Sequence, residues 1–281
     1  MPAKMFGGTN IPTSMIVLSH GNQSVRLVDA SEVYQQGRRQ NEFSAENIEK
    51  IVSATQADGE NSKLISLDEL RNNEYSLNLS RYRDEDIQYV NGVAFKTVIQ
   101  NITRGAACTA NQLDEMVSEK ETNIQFLMLS NIHNGIIDKE LPYLKGIDKR
   151  LEKYCVKNNS LILSKNGSPF KISVATVQEG QKILANGNLY VIELDETKAN
   201  PYYLKAFFES EQGVAALKRI TVGTTIPSIG VDKLKNLIVP LPPLEEQKRI
   251  AAKYLAILDE ISALKQKIDT AVNKLKTVFS I

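Results

Sequence analysis

A chain of 281 residues, 42% hydrophobic and 24% charged, is large enough for one big domain or two ordinary ones and can bury a substantial core, which excludes global disorder. Thirty-four lysines and arginines balance 33 aspartates and glutamates, so a basic surface must be local and not a property of the whole chain. Two cysteines, Cys108 and Cys155, and two histidines are too few for a zinc cluster or a histidine-built metal site. No apolar run reaches the length of a membrane span and MPAKMFGGTN lacks a secretory apolar core, so the expectation is a cytoplasmic protein with no membrane partner.

The β-type runs SMIVLSH and SVRLVDAS flank Gly21 and Asn22, residues that tolerate tight turns, and predict a hairpin. Ser44 precedes AENIEKIVSAT, where Ile48, Ile51 and Val52 fall at helical spacing; with Asn47 at the third position it makes half a capping box. Ser66 before LDELRNN has Glu69 there and makes a fuller one. Gly7-Gly8, outside any phosphate-loop context, reads as a turn.

From Val93 the chain changes character. AFKTVIQNITRG is an apolar run ending in a basic loop at Thr103 and Arg104, where Gly105 would let the backbone come close to a ligand. NIQFLMLSNIHNGII is strand-like with a turn at Asn134-Gly135; His133 belongs to that turn, since no nucleophile or orienting carboxylate shares a motif with it. KNNSLILSKNGSPFKISVATV and NLYVIELD add further strands. NPYYLKAFFESEQGVAALKRI predicts a helical pair with Pro201 in a first turn and Leu204, Phe207, Phe208, Val214 and Leu217 supplying its apolar faces around Gly213. VGTTIPSIGVDKLKNLIVPLPPLEEQ predicts a Thr-rich loop, a short helix, a strand and a proline stop, with Thr224 and Thr225 bonding their own turn.

Between Glu152 and Glu179 the chain has no acid but carries Lys153, Lys157, Lys165 and Lys171. Such a stretch is either a solvated face or a place for phosphates; Lys165, Asn166, Ser168 and Lys171 lie together between two predicted strands. After Pro243 a helix can start at once, with Glu245 and Glu246 at its positive end. Ile250, Tyr254, Ile257, Ile261, Leu264, Ile268, Ala271, Leu275 and Val278 then alternate at spacings of four and three, a heptad seam whose narrow stripe predicts pairing with a second copy.

Two resemblances accompany these readings. GGTNIPTSMIVL, VRLVDASEVYQQGRRQN and ISLDELRNNEYSLNLSRY resemble the C-terminal end of the adenine-N6 DNA methyltransferase subunit of type I restriction-modification systems. SLILSKNGSPFKISVA, NPYYLKAFFES and TVGTTIPSIGVDKLKNLIVPLPPLEEQKRIA resemble the target recognition domain and helix of a type I specificity subunit. Residues 1–84 would then be a methyltransferase-like α/β segment, 85–243 a recognition domain and 244–281 a coiled-coil dimerisation helix, an α+β chain whose recognition domain is mixed and largely β.

The second resemblance implies sequence-specific binding of double-stranded DNA by loops in the major groove, with Lys165, Asn166, Ser168, Lys171, Thr103 and Arg104 as candidate contacts. It also implies pairing through Tyr254, Ile257, Ile261, Leu264, Ile268 and Leu275, and a DNA methyltransferase partner, with or without restriction subunits. The glycine-rich S-adenosylmethionine loop and the Asn-Pro-Pro-aromatic turn of such methyltransferases are missing, and Asn200-Pro201-Tyr202-Tyr203 is a helix start instead. The expectation is a chain without chemistry or cofactor of its own, S-adenosylmethionine belonging to the catalytic partner. Two other readings stay open: the C-terminal piece of a fused methyltransferase-specificity polypeptide, and a helix-paired scaffold without DNA affinity.

Overall fold

A computed structural model describes residues 1–6, 10–73, 75–79, 82, 89–223 and 226–277, the side chains of residues 269, 276 and 277 excepted. Gly7, Gly8, Thr224, Thr225 and Val278, to which the sequence assigned turns or a seam position, lie outside the described residues. The chain forms two compact units, residues 1–88 with 218–227 and residues 89–217 with 228–281.

In the first unit, strand β1 (Ser24–Val28) does not pair with residues 14–20, which form no strand. It pairs antiparallel with β2 (Ser62–Ser66), in the register Ser24 to Ser66 and Val28 to Ser62. The expected hairpin is thus overturned, for a physical reason. Pairing with 62–66 brings Ile65 into a small core with Leu27, Leu70, Leu79 and Tyr82, while Arg26 reaches Asp58 at 2.6 Å. Met15, Ile16, Val17 and Leu18 lack the alternation that gives a strand one inward face, and all four are exposed.

Helix α1 (Ala45–Ala54) begins with a complete capping box, fuller than the sequence promised: Asn47 N donates to Ser44 Oγ and Ser44 N donates to Asn47 Oδ1, both at 3.1 Å. An asparagine carboxamide can return the backbone bond that a glutamate usually accepts. Helix α2 (Leu67–Asn72) has the box expected at Ser66 and Glu69.

The second unit begins with β3 (Gly92–Ala94) and β4 (Ile99–Arg104), then α3 (Ala110–Met116) and β5 (Ile124–Leu127). A short hairpin of β6 (Ile132–His133) and β7 (Ile136–Ile137) turns at Asn134 and Gly135, whose φ values of 51° and 74° explain the Asn-Gly pair. Strands β8 (Leu161–Ser164), β9 (Ile172–Val174), β10 (Lys182–Ala185) and β11 (Leu189–Leu194) follow. The main sheet has the order β9-β8-β11-β4 and is antiparallel throughout; β5 and β10 pair in parallel beside it.

Strands β8 and β11 are almost continuously apolar because both of their faces are covered. Ile162, Leu189 and Val191 join Leu127, Ile132, Leu141, Val156 and Ile183 in one cluster. A second cluster gathers Ala106, Phe126, Leu144 and Leu184, with Cys108 and Cys155 packed against it. Burial pushes both thiols above the ordinary cysteine range, so they behave as small apolar side chains.

Helix α4 (Pro201–Glu209) is capped by Asn200, whose Oδ1 accepts from Tyr202 N and Tyr203 N at 3.0 and 3.1 Å. Tyr203, Phe207 and Phe208 pack inward, Phe208 edge-on to Phe95 with ring centroids 5.4 Å apart, so this tetrapeptide is a helix start. Helix α5 (Glu211–Arg219) follows at once, and Gly213 lies so close to Phe207 O that a side chain there would collide with it. Helix α6 (Val231–Asn236) and strand β12 (Ile238–Pro240), paired with β3, lead to α7 (Leu244–Thr277), 34 residues or about 50 Å long.

Candidate nucleic-acid interface

Antiparallel pairing brings four strand ends together at one end of the main sheet. There Ser164 of β8 faces Leu189 of β11, Tyr190 faces Arg104 of β4, and Leu163 faces Ile172 of β9. The segments that continue from these residues are the loop 165–171, the turn 186–188 and the residues after Arg104. The sequence placed Lys165, Asn166, Ser168 and Lys171 in one loop and Arg104 in another, and the sheet brings the two together at this end.

Their roles differ. The loop is closed at its neck by Lys171 N to Ser164 Oγ and Ser164 N to Lys171 O, both 2.8 Å. Lys165 is held by its backbone, its N donating to Asn188 O at 2.8 Å and its O accepting from Ile229 N at 3.0 Å. Among the described residues Lys165 Nζ has no hydrogen-bond or ion-pair partner. Asn166 bridges to Ser228 and is half-buried, whereas Ser168 is exposed.

Lys171 is different. Its Nζ donates to Leu129 O at 2.9 Å, so the ammonium points back to the protein and ties the loop to the segment before β6. Two other lysines of the acid-free stretch are also engaged: Lys157 pairs with Glu193 at 2.6 Å, and Lys153 lies 4.9 Å from the centre of the Tyr154 ring. Burial alone would raise the Glu193 carboxyl, but Lys157 and Asn101 outweigh it and hold it below the ordinary carboxylate range.

Thr103 and Arg104 are not in a loop. They are the last two residues of β4, opposite Val191 and Tyr190. Thr103 Oγ1 accepts from Asn101 at 3.3 Å, and Arg104 Nε donates to Gly187 O at 2.7 Å, laying the exposed guanidinium along the 186–188 turn. Gly105 is buried, and its close backbone approach is to the chain itself, because a side chain there would run into Asn186 O. The turn Asn186-Gly187-Asn188, which sequence reading passed over, therefore stands between Lys165 and Arg104. Its only sequence signal was an Asn-Gly-Asn turn before an apolar strand.

The long helix starts on the same unit. Gln247 is 1% exposed and spends its whole carboxamide on three loop ends: Nε2 donates to Lys198 O at 2.9 Å and Pro242 O at 2.8 Å, and Oε1 accepts from Asn200 N at 2.9 Å. This explains the glutamine of PPLEEQ, to which the sequence assigned no role. About two turns further on, Tyr254 joins Lys205 and Glu209 of α4: its hydroxyl contacts both, and the Lys205 ammonium lies 4.6 Å from its ring centre. Lys205 is 1% exposed, and burial pushes its ammonium below the ordinary lysine range against the pull of Glu209.

Tyr254 is therefore committed to its own chain, unlike the seam residues from Ile257 onward. Ile257, Ile261, Leu264, Ile268 and Leu275 are 48, 38, 51, 60 and 71% exposed. Among the described residues, the uncovered stripe begins at Ile257.

Residues 108–274 match the type I restriction modification DNA specificity domain, and residues 1–88 match the N-6 DNA methylase family. A type I restriction enzyme specificity subunit assigned in Methanocaldococcus jannaschii, MjaX, is 30% identical over 185 residues, which cover 64% of this chain and 42% of that protein. The MjaVIII specificity subunit of the same organism is 29% identical over 162 residues, 57% of this chain and 35% of that protein. The chain thus spans well under half the length of these curated relatives. The crystal structure of the HsdS subunit from Thermoanaerobacter tengcongensis aligns with a TM-score of 0.44 at 14% identity, covering 71% of this chain and 46% of that one. With the specificity domain spanning residues 108–274, the chain belongs to the type I restriction modification DNA specificity domain family.

Proposed function

We propose that this chain reads one half of a double-stranded DNA target and directs a DNA methyltransferase, and any associated restriction subunit, to it. The carrying observation is the sheet end where Lys165, Arg104 and exposed polar side chains converge on backbone that the sheet holds in place. Lysine and arginine suit phosphates, and asparagine and serine suit base edges, so one rigid edge combines positioning groups with reading groups. Membership of the specificity domain family supports the same role.

Site selection without chemistry is the other half of the proposal. A cleft of about 330 Å³ in the first unit is lined by Asp29, Lys50, Ile51, Asp58 and Glu60, among others; it has no aromatic ring to stack on an adenosyl group, and Asp58 is held by Arg26. This lining lends no support to an S-adenosylmethionine site, in keeping with the reading that the cofactor belongs to the catalytic partner. Among the described residues, no helix is long and apolar enough to cross a membrane.

The uncovered stripe from Ile257 to Leu275 would pair two copies, and two copies would read a two-part target, since the symmetry of protein and site go together. Fluorescence anisotropy against a randomised duplex, repeated over a salt series, tests the reading. Binding that weakens steeply with salt is expected, and Lys165→Ala should lower the salt slope by about one. Lys171→Ala should leave that slope unchanged, since its ammonium already serves Leu129 O. A chain that binds no duplex at low salt, yet pairs through its helix, would instead be the scaffold.

A further inference from the structure

The turn between β10 and β11 is held more tightly than a surface turn needs. Asn186 N donates to Leu127 O at 2.9 Å, Gly187 N to Ala106 O at 2.7 Å and Leu189 N to Asn186 O at 2.9 Å. Asn188 O accepts from Lys165 N at 2.8 Å, and Gly187 O accepts from Arg104 Nε at 2.7 Å. Asn186 Oδ1 completes the set by accepting from Asn188 N at 2.9 Å. What this frame presents is the exposed side chain of Asn188, whose carboxamide has no hydrogen-bond partner among the described residues.

The usual reasons for asparagine in a turn do not apply at this position. One reason is a left-handed backbone, as at Asn134 and Asn159 with φ of 51° and 63°; Asn188 has no positive φ. The other is a side chain that bonds the turn itself, and Asn186 already performs that function. Asn188 is left with a donor and an acceptor, aimed outward from a rigid tip, with Lys165 on one side and Arg104 on the other. Base reading requires this combination, because a polar group held in place beforehand discriminates without the cost of being ordered on binding.

We propose that Asn188 is a specificity-determining residue of the DNA interface, its carboxamide meeting a base edge in the major groove. Adenine is the base that it fits, since N7 accepts and N6 donates on one edge, matching the amide's N–H and C=O. The inference rests on the sheet end being the DNA face, as proposed above, and adds which side chain there reads sequence.

Selection from a randomised duplex library by the wild-type chain, Asn188→Ala and Asn188→Asp tests it. The wild type should enrich a motif with an adenine at a fixed position. Asn188→Ala should lose preference there by about 5- to 150-fold while keeping its salt slope and thermal stability. Asn188→Asp, which cannot donate to N7, should select against adenine at that position. Enrichment of the same motif at the same ratio by Asn188→Ala overturns the proposal, as does a fall in melting temperature, which would give Asn188 a structural role. Failure of the wild type to bind any duplex removes the DNA face itself, and so is distinguishable from failure of Asn188 alone.

Discussion

The two halves of helix α7 carry one heptad pattern and have different fates. From Leu244 to Tyr254 the helix is fastened to its own unit by polar groups: Gln247 joins three loop ends, and Tyr254 enters the charged cluster with Lys205 and Glu209. From Ile257 to Leu275 the same spacing leaves a stripe of exposed apolar side chains. A seam of period three and four states that one face of a helix avoids water, but not whether that face is covered by its own domain or by another chain. Here two polar residues in the register of the seam, Gln247 and Tyr254, mark the fastened half.

The largest expected effect lies in the uncovered half. Ile261→Asp with Ile268→Asp would place two charges in the stripe and should abolish pairing in sedimentation measurements, while the melting temperature of the recognition unit stays as it was. A wild-type chain that sediments as a monomer would remove the distinction between the halves.

The fastened half should respond in the opposite way. Gln247→Ala removes three hydrogen bonds made by a buried side chain to Asn200 N, Lys198 O and Pro242 O; Lys198 is exposed and water can replace the bond there, so at about 0.5–1.5 kcal/mol for each bond the second unit should lose about 1–3 kcal/mol in denaturant unfolding. A milder change, Tyr254→Phe, keeps the ring over Lys205 but removes the hydroxyl that contacts Lys205 and Glu209, and should cost about 1–2 kcal/mol without altering the oligomeric state. If Tyr254→Phe instead weakened pairing, the border would lie nearer Leu244 than the contacts place it.

A seven-residue insertion after Leu264 keeps the heptad register, so it should preserve both stability and pairing and change only the preferred separation of two half-sites. Selection from libraries with variable spacers would measure this. The smallest expected effect is in acid. The Glu193 carboxyl is held below the ordinary range in the folded chain, so its contribution is complete above the unfolded value and is lost as pH falls through the folded one. Lys157→Ala should flatten that part of a stability-pH curve.

Much of the fold could be read from sequence because it is written in local chemistry. Ser66 with Glu69, Asn134-Gly135, Asn200-Pro201 and the prolines before Leu244 each specify a cap or turn by bonds made within a few residues. The apolar runs of β8 and β11 announced buried strands for the same reason. The partner of β1 could not be read this way. Two adjacent β-type runs with Gly21 and Asn22 between them look like a hairpin, yet a strand chooses its neighbour by which pairing buries a side chain, and Ile65 lies 40 residues from Val25, its partner.

The candidate site divides along the same line. By itself the sequence determined which residue types could meet DNA and that they sit near strand ends: a basic stretch without acids, polar loops, and the motifs shared with the specificity domain family. Tertiary structure decided which of them face outward. Lys171 turns inward to Leu129 O, Lys157 to Glu193 and Gly105 to Asn186, while Asn188, in a turn without a distinctive motif, stands exposed between Lys165 and Arg104. A charged or amide side chain has the same chemistry whether it meets solvent or a carbonyl 40 residues away. Only the sheet that brings those segments together determines which partner it meets.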